Sequence, residues 1–349
     1  MTSRLSRARK WLLSGPVHVQ GILDIIANYG QELEGTYAHT LQGHSTSVVC
    51  LTVLPDGKLA SGSDDNTVRV WEDGLCLHTL VGHTCWVTVL AALPDAKLAS
   101  GSLDATIRIW ENGSCIHTLT GHTRGVNCLA VLPDGKLASG SWDWTVRVWD
   151  GGACLHTLTG HTHGVNCLAV LPDGKLASAS EDKTVRVWEC GTCLHTLTGH
   201  TKGVDCLAVL PDGKLVSGSD DNTLRVWENG ACLLTFAGHT WPVCALAVLP
   251  NGNLASGSCD HTVRVWDTAT GACLYTLTGH ALGVKCLAVL PDGNLASGSC
   301  DHTVRVWDTA SGACLHTLTG HTREVNCLAV LPDGKLASGS GDRTVRVWC

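Results

Sequence analysis

A Gly-His pair begins at residues 43, 82, 121, 160, 199, 238, 279 and 320, and a tryptophan follows each histidine after 27 residues in every case. The spacing is 39 residues, lengthening to 41 over the last two intervals. Eight near-identical units require a fold in which eight equivalent supersecondary elements share equivalent surroundings. Within one unit, turn signals separate four short runs: "VNCLAVL", "KLASGS", "TVRVW" and "CLHTL". Each run has strand length, so a unit reads as a four-stranded antiparallel sheet. The first run is almost continuously apolar, as an inner strand covered on both faces requires, whereas the last mixes in His and Thr like an outer edge. Pro-Asp-Gly between the first two runs supplies a turn, with proline presetting φ and glycine free to take a positive one.

Composition agrees with an all-β class. The chain of 349 residues has 39 glycines but one methionine and one phenylalanine, with 44% hydrophobic and 16% charged residues. That suits many short strands joined by tight turns. A net charge of −7 provides no general attraction to nucleic acid or anionic lipid, so neither is an expected partner. No apolar run approaches the roughly 18 residues that span a bilayer, and "WLLSG" is shorter than a secretory h-region of about 7 to 15. A cytoplasmic or nuclear location is expected.

The units resemble the WD40 repeat, whose pattern joins a Gly-His to a Trp-Asp. The resemblance covers residues 35–349 and implies a β-propeller with one sheet per blade, here eight, although seven is the commoner number in the family. The ends of the chain point to ring closure independently. The last unit stops at "TVRVWC" without a fourth strand, while "TYAHTL" before the first Gly-His matches "CLHTL", with Tyr37 replacing the cysteine. Residues 36–41 are therefore expected to complete the final blade.

Every unit also carries a histidine, a serine and an aspartate, such as His122, Ser139 and Asp143. On another scaffold these would suggest a hydrolase. A nucleophile, however, needs one uniquely activated serine beside an oxyanion hole, and eight equivalent copies have no such logic. The resemblance instead implies that His122, Ser139, Asp143 and Trp149 form a hydrogen-bond network within the blade, and that Arg147 and its equivalents are structural. No enzymatic activity and no cofactor are expected; the competing class is a metal-dependent sensor or enzyme.

Most of the 19 cysteines recur at fixed positions. Seven (Cys76, Cys115, Cys154, Cys193, Cys232, Cys273 and Cys314) follow the frame tryptophans. Six (Cys50, Cys128, Cys167, Cys206, Cys286 and Cys327) follow the Gly-His pairs. Both sets read as small buried packing sites in a reducing compartment. Cys190-Gly-Thr-Cys193 lies in a turn, without the helix N-terminus that activates redox CxxC motifs. "CDH" at Cys259–His261 and Cys300–His302 offers two thiols and two imidazoles, but on adjacent-blade loops expected to be too far apart for one zinc.

Differences among the units are concentrated two and three residues after each repeated histidine and on either side of each repeated aspartate. In a WD40-like propeller these positions form the loops of one face, the top. Eight of the 13 tryptophans belong to the frame and Trp11 to the N-terminal extension; Trp86, Trp142, Trp144 and Trp241 fall at the variable positions. With Cys85 and Leu103 the first three predict an apolar patch on blades 2 and 3, bordered by Arg124, His163 and Lys202. Exposed tryptophan beside arginine is typical of interface hot spots. The alternative is local packing of the indoles at the blade edge. The expected function is a monomeric protein-interaction scaffold whose partners are proteins or peptides. "SGSWD" and "LPDG" are similar to the propellers of phospholipase-activating, ubiquitin-binding WD40 proteins, which makes ubiquitin the alternative partner.

Residues 1–34 differ in kind. Arg4, Arg7, Arg9 and Lys10 precede the first acidic residue, Asp24, giving a basic tail that also resembles an organelle transit peptide. Val19, Ile22, Leu23 and Ile26 follow helical spacing, which predicts a short amphipathic helix ending near Gly30.

Overall fold

Thirty-two strands, β1 to β32, form eight four-stranded antiparallel sheets in a computed structural model that describes residues 37–349. The expected N-terminal tail and helix lie outside the described residues. Seven sheets are consecutive in sequence. The eighth joins β1 (Tyr37–Leu41) to β32 (Val345–Trp348), with Leu41 opposite Val345 and Tyr37 opposite Trp348. This is the expected closure: strand pairing between the two ends leaves the ring with no gap, so no blade has an uncovered face.

From the axis outward each blade has strands a to d. In blade 3 these are Val126–Val131, Leu137–Ser141, Val146–Asp150 and Ala153–Leu158. Each strand a touches the strands a of both neighbouring blades, closing an inner ring. The hydrophobic core is divided into eight clusters, each lying between two adjacent blades. In one, Trp149 of blade 3 packs on Ala99, Ile107, Ile109 and Leu119 of blade 2. No blade can bury both of its faces alone, so stability requires the whole ring. Strand b is buried along its whole length, which accounts for its small "LASGS" side chains between two flanking blades.

The Pro-Asp-Gly turns adopt the expected geometry; Gly135 has φ 81° and donates its amide to the Leu132 carbonyl at 2.9 Å. Blade 2 departs from this, because Ala96 replaces the glycine. Asp95 and Ala96 both take positive φ, 58° and 56°, and the turn closes one residue later, from the Lys97 amide to the Pro94 carbonyl at 3.3 Å.

The cysteine reading needs one correction. The set that follows Gly-His is buried, as expected. Burial raises the Cys128 and Cys206 thiols well above their ordinary pKa and holds Cys286 at about 12. The set that follows the frame tryptophans, Cys76, Cys115, Cys154, Cys193, Cys232, Cys273 and Cys314, is exposed. Strand d is the outer edge and has no sheet beyond it. Cys154 there accepts a hydrogen bond from Arg147 Nη1 at 3.5 Å and donates to the His156 carbonyl at 3.4 Å. The thiol is a weak polar link rather than a packing group.

Candidate functional site: the top face

The top-face loops are positioned by a polar network repeated in all eight blades. In blade 3, Trp149 Nε1 donates to Ser139 Oγ at 2.8 Å, and Ser139 Oγ lies 2.8 Å from His122 Nε2. His122 Nδ1 lies 2.8 Å from Asp143 Oδ2. The indole N–H occupies one lone pair of the serine, so the hydroxyl proton goes to Nε2. The ring proton then sits on Nδ1 and faces the carboxylate. Asp143 also accepts from the Thr123 amide at 3.0 Å and from Thr145 Oγ1 at 2.7 Å. One carboxylate thus ties the loop before strand a to the turn between strands b and c, placing both on the same face.

Burial by itself would raise the Asp143 carboxyl. The hydrogen bonds from His122, Thr145 and the Thr123 amide outweigh that and hold it well below the ordinary carboxylate range. Its counterparts in blades 1, 2, 4, 5, 6 and 8 are held low in the same way, and Asp301 in blade 7 lies at about 2. Ser139 and its seven equivalents are fully buried. Each hydroxyl is committed to a tryptophan and a histidine and does not face a cleft.

On this frame the variable residues take distinct positions. Trp144 is 45% exposed and Trp241 63% exposed, whereas Trp86, Trp142, Cys85 and Leu103 are half-buried. Arg124, His163 and Lys202 are exposed. Trp142 and Trp144 flank Asp143 but diverge. Trp142 lies against two glycines of successive loops: a methyl on Gly164 would come within 2.9 Å of its Cδ1, and one on Gly125 within 3.5 Å of its Cε3. Leu103 lies against the same Gly125, 2.7 Å from such a methyl. Leu103, Gly125, Trp142 and Gly164 therefore form a continuous seam from blade 2 to blade 4. Trp144 instead has φ 74°, which turns its indole outward to within 6.2 Å, ring centre to ring centre, of His163 on blade 4. Trp241 is on blade 6, away from this seam. Among the described residues no three His, Cys, Asp or Glu side chains converge as a metal-binding cluster.

One variable position escaped the sequence reading, the fifth residue after each repeated histidine, on strand a. Asn127, Asn166 and Asn326 each donate an amide N–H to a strand-a carbonyl of the next blade: Val165 at 3.1 Å, Val204 at 3.1 Å and Val48 at 2.9 Å. Thr88 bonds the Val126 carbonyl in the same way, and Lys285 Nζ donates to Asn326 Oδ1 at 2.8 Å. The sequence signal is a single polar residue interrupting the most apolar run of a unit. Its purpose becomes visible only when the next blade is in place.

The model of the WD domain, G-beta repeat, matches residues 35–72, 74–111, 113–150, 152–189, 191–228, 230–267, 271–308 and 312–349. Among solved structures, the computationally designed protein Ika8 is similar, with 34% identity and a TM-score of 0.80 over 91% of this chain and 99% of that one. The WD40 β-propeller domain of Doa1 is 28% identical, with a TM-score of 0.65 over 90% of this chain and 96% of that one. No curated protein matches the chain. With eight matched repeats and eight closed blades, the chain belongs to the WD40-repeat family.

Proposed function

We propose that this propeller is a non-enzymatic scaffold that binds a protein or peptide on its top face, mainly through blades 2 and 3, and acts as a monomer in the cytoplasm or nucleus. WD40 propellers generally serve as protein-interaction scaffolds, and the buried, doubly engaged serines support a non-catalytic reading. The observation that carries the choice of face is Trp144. Its left-handed turn position is filled in other blades by Asn66, Lys183, Asn222 or Arg343, so the frame does not require an indole there. A bulky side chain in this backbone region costs about 1–2 kcal/mol relative to glycine. A half-exposed tryptophan beside His163, on the same face as exposed Arg124, has the chemistry of an interface anchor. Cys85, Trp86, Leu103 and Trp142 form the floor beside it, Lys202 continues the rim, and Trp241 is a separate contact on blade 6.

Quantitative affinity capture comparing the native chain with Trp144→Asn and Arg124→Ala tests this. Partners retained by the native chain and lost from both variants support the reading; a partner set indifferent to both overturns it. Ubiquitin is the first purified protein to titrate, because of the likeness of "SGSWD" and "LPDG" noted above. A flat titration to high micromolar concentration removes it while leaving the scaffold reading intact.

A further inference from the structure

At the entry to every blade, strand a carries an extra residue opposite strand b. In blade 6, Val243 pairs with Ser258 and Ala245 with Gly257, so Cys244 is the bulged residue between them. The chain leaves strand b at Cys259, whose amide donates to the Pro242 carbonyl at 2.9 Å. A bulge places one additional side chain beside the neighbouring strand's end. The corresponding register positions hold Asn127 and Trp142 in blade 3, Asp205 and Asp220 in blade 5, and Lys285 and Cys300 in blade 7. Only in blade 6 are both cysteines. Their Sγ atoms lie 3.2 Å apart.

Access differs between the two. Cys244 is 7% exposed, whereas Cys259 is half-buried and lines a shallow recess of about 260 Å³ with Thr240, Trp241, Asp260 and His261. A small oxidant can therefore reach Cys259 first, with a second thiol already in contact behind it. Neighbouring side chains need little movement to close the remaining distance to a sulfur–sulfur bond of about 2.05 Å.

We propose that Cys244 and Cys259 are a reversible dithiol–disulfide modification site whose oxidant is a hydroperoxide. The Cys259 thiolate attacks the outer peroxide oxygen, the O–O bond breaks, and the alcohol or water leaves with a proton from solvent, giving a sulfenic acid on Cys259. The Cys244 sulfur then attacks the Cys259 sulfur. The S–O bond breaks, the Cys244 proton goes to the departing hydroxide, and the products are the disulfide and water. Overall, two thiols are oxidised and one hydroperoxide is reduced. A low-molecular-weight thiol reverses the reaction by exchange. The bond ties strand a of blade 6 to its b–c turn. It also removes the hydrogen bond that the Cys244 thiol makes to the Pro242 carbonyl at 3.6 Å, next to exposed Trp241. The inference does not depend on the recognition reading.

The test uses the full, reduced chain exposed to micromolar hydrogen peroxide, then alkylated and digested with trypsin. Residues 226–264 form one tryptic peptide that contains Cys232, Cys244 and Cys259. The expected product has a single alkyl group, on Cys232, and an internal bond between Cys244 and Cys259. Two of the 19 thiols per chain are lost to alkylation and recovered on adding dithiothreitol. In Cys244→Ser, whose melting temperature is checked against the native chain, a cyclic dione traps Cys259 as the sulfenate. A link through Cys232, a lone sulfenate on Cys259 in the native chain, or an unchanged peptide while other thiols oxidise overturns the proposal. The native-chain map decides the matter even if the variant fails to fold.

Discussion

Asp143 Oδ2 stands 2.8 Å from His122 Nδ1, and the same contact recurs at 2.8–2.9 Å in every blade. Replacing Asp143 with Ala leaves His122, Thr145 and the Thr123 amide without their acceptor in a site where water has little room. A loss of roughly 2–3 kcal/mol follows, measured by denaturant unfolding. The direction with pH is also set. A carboxyl held below its ordinary value in the folded state ionises more readily there than in the unfolded chain, so the unfolded chain binds more protons as acid is added. The stabilisation is complete above the unfolded carboxyl value of about 4 and is lost as pH falls toward the depressed folded values. Melting temperature is therefore expected to drop steeply below about pH 4, and a flat profile down to pH 2 would contradict it.

The two indoles beside Asp143 have different consequences. Trp144→Asn places a residue suited to the left-handed region at φ 74°, so stability is expected to stay level or rise by up to about 1 kcal/mol. Trp142→Ala empties the seam between Gly125 and Gly164 and is expected to cost about 2 kcal/mol. Thermal melts of the two single variants check this; equal losses would mean that both indoles pack.

Gly121 sits where the frame arginine crosses the loop. Its φ is 148°, and a methyl there would lie 2.8 Å from Arg147 Nη1. Gly121→Ala is expected to destabilise by more than about 1 kcal/mol. Because part of the loss is a side-chain clash and part is backbone, Gly121→Ala combined with Arg147→Ala should be less damaging than the sum of the singles. A double-mutant cycle measures the difference.

Blade 2 offers a stabilising change. Ala96→Gly removes a side chain from a residue at φ 56° and restores the Pro-Asp-Gly turn used elsewhere, as at Gly135. A gain of about 0.5–1 kcal/mol is expected, with no effect on the top face. A loss on calorimetry would show that the blade 2 turn is held by its neighbours rather than strained.

Much of this molecule is legible one residue at a time because repetition gives equivalent positions equivalent surroundings. The interval of 27 residues from His122 to Trp149 recurs in eight units, and so does the Ser139-linked network joining them. "TYAHTL" predicts its own place against β32 because it matches the strand that the last unit lacks. The tertiary structure decided whatever depends on a neighbouring blade or on a local break in period. Trp142 and Trp144 are two apart and would share a face of an extended strand, but the left-handed turn at Trp144 sends one indole into the inter-blade seam and the other outward. Cys154 and Cys128 recur with the same regularity, yet one lies on an outer edge with no sheet beyond it and the other inside the ring. Cys244 and Cys259 are separated by 15 residues. The bulge that opens strand a in every blade sets these two positions side by side, and only the pairing of the strands, which the sequence interval does not display, shows that in blade 6 it brings two sulfurs together.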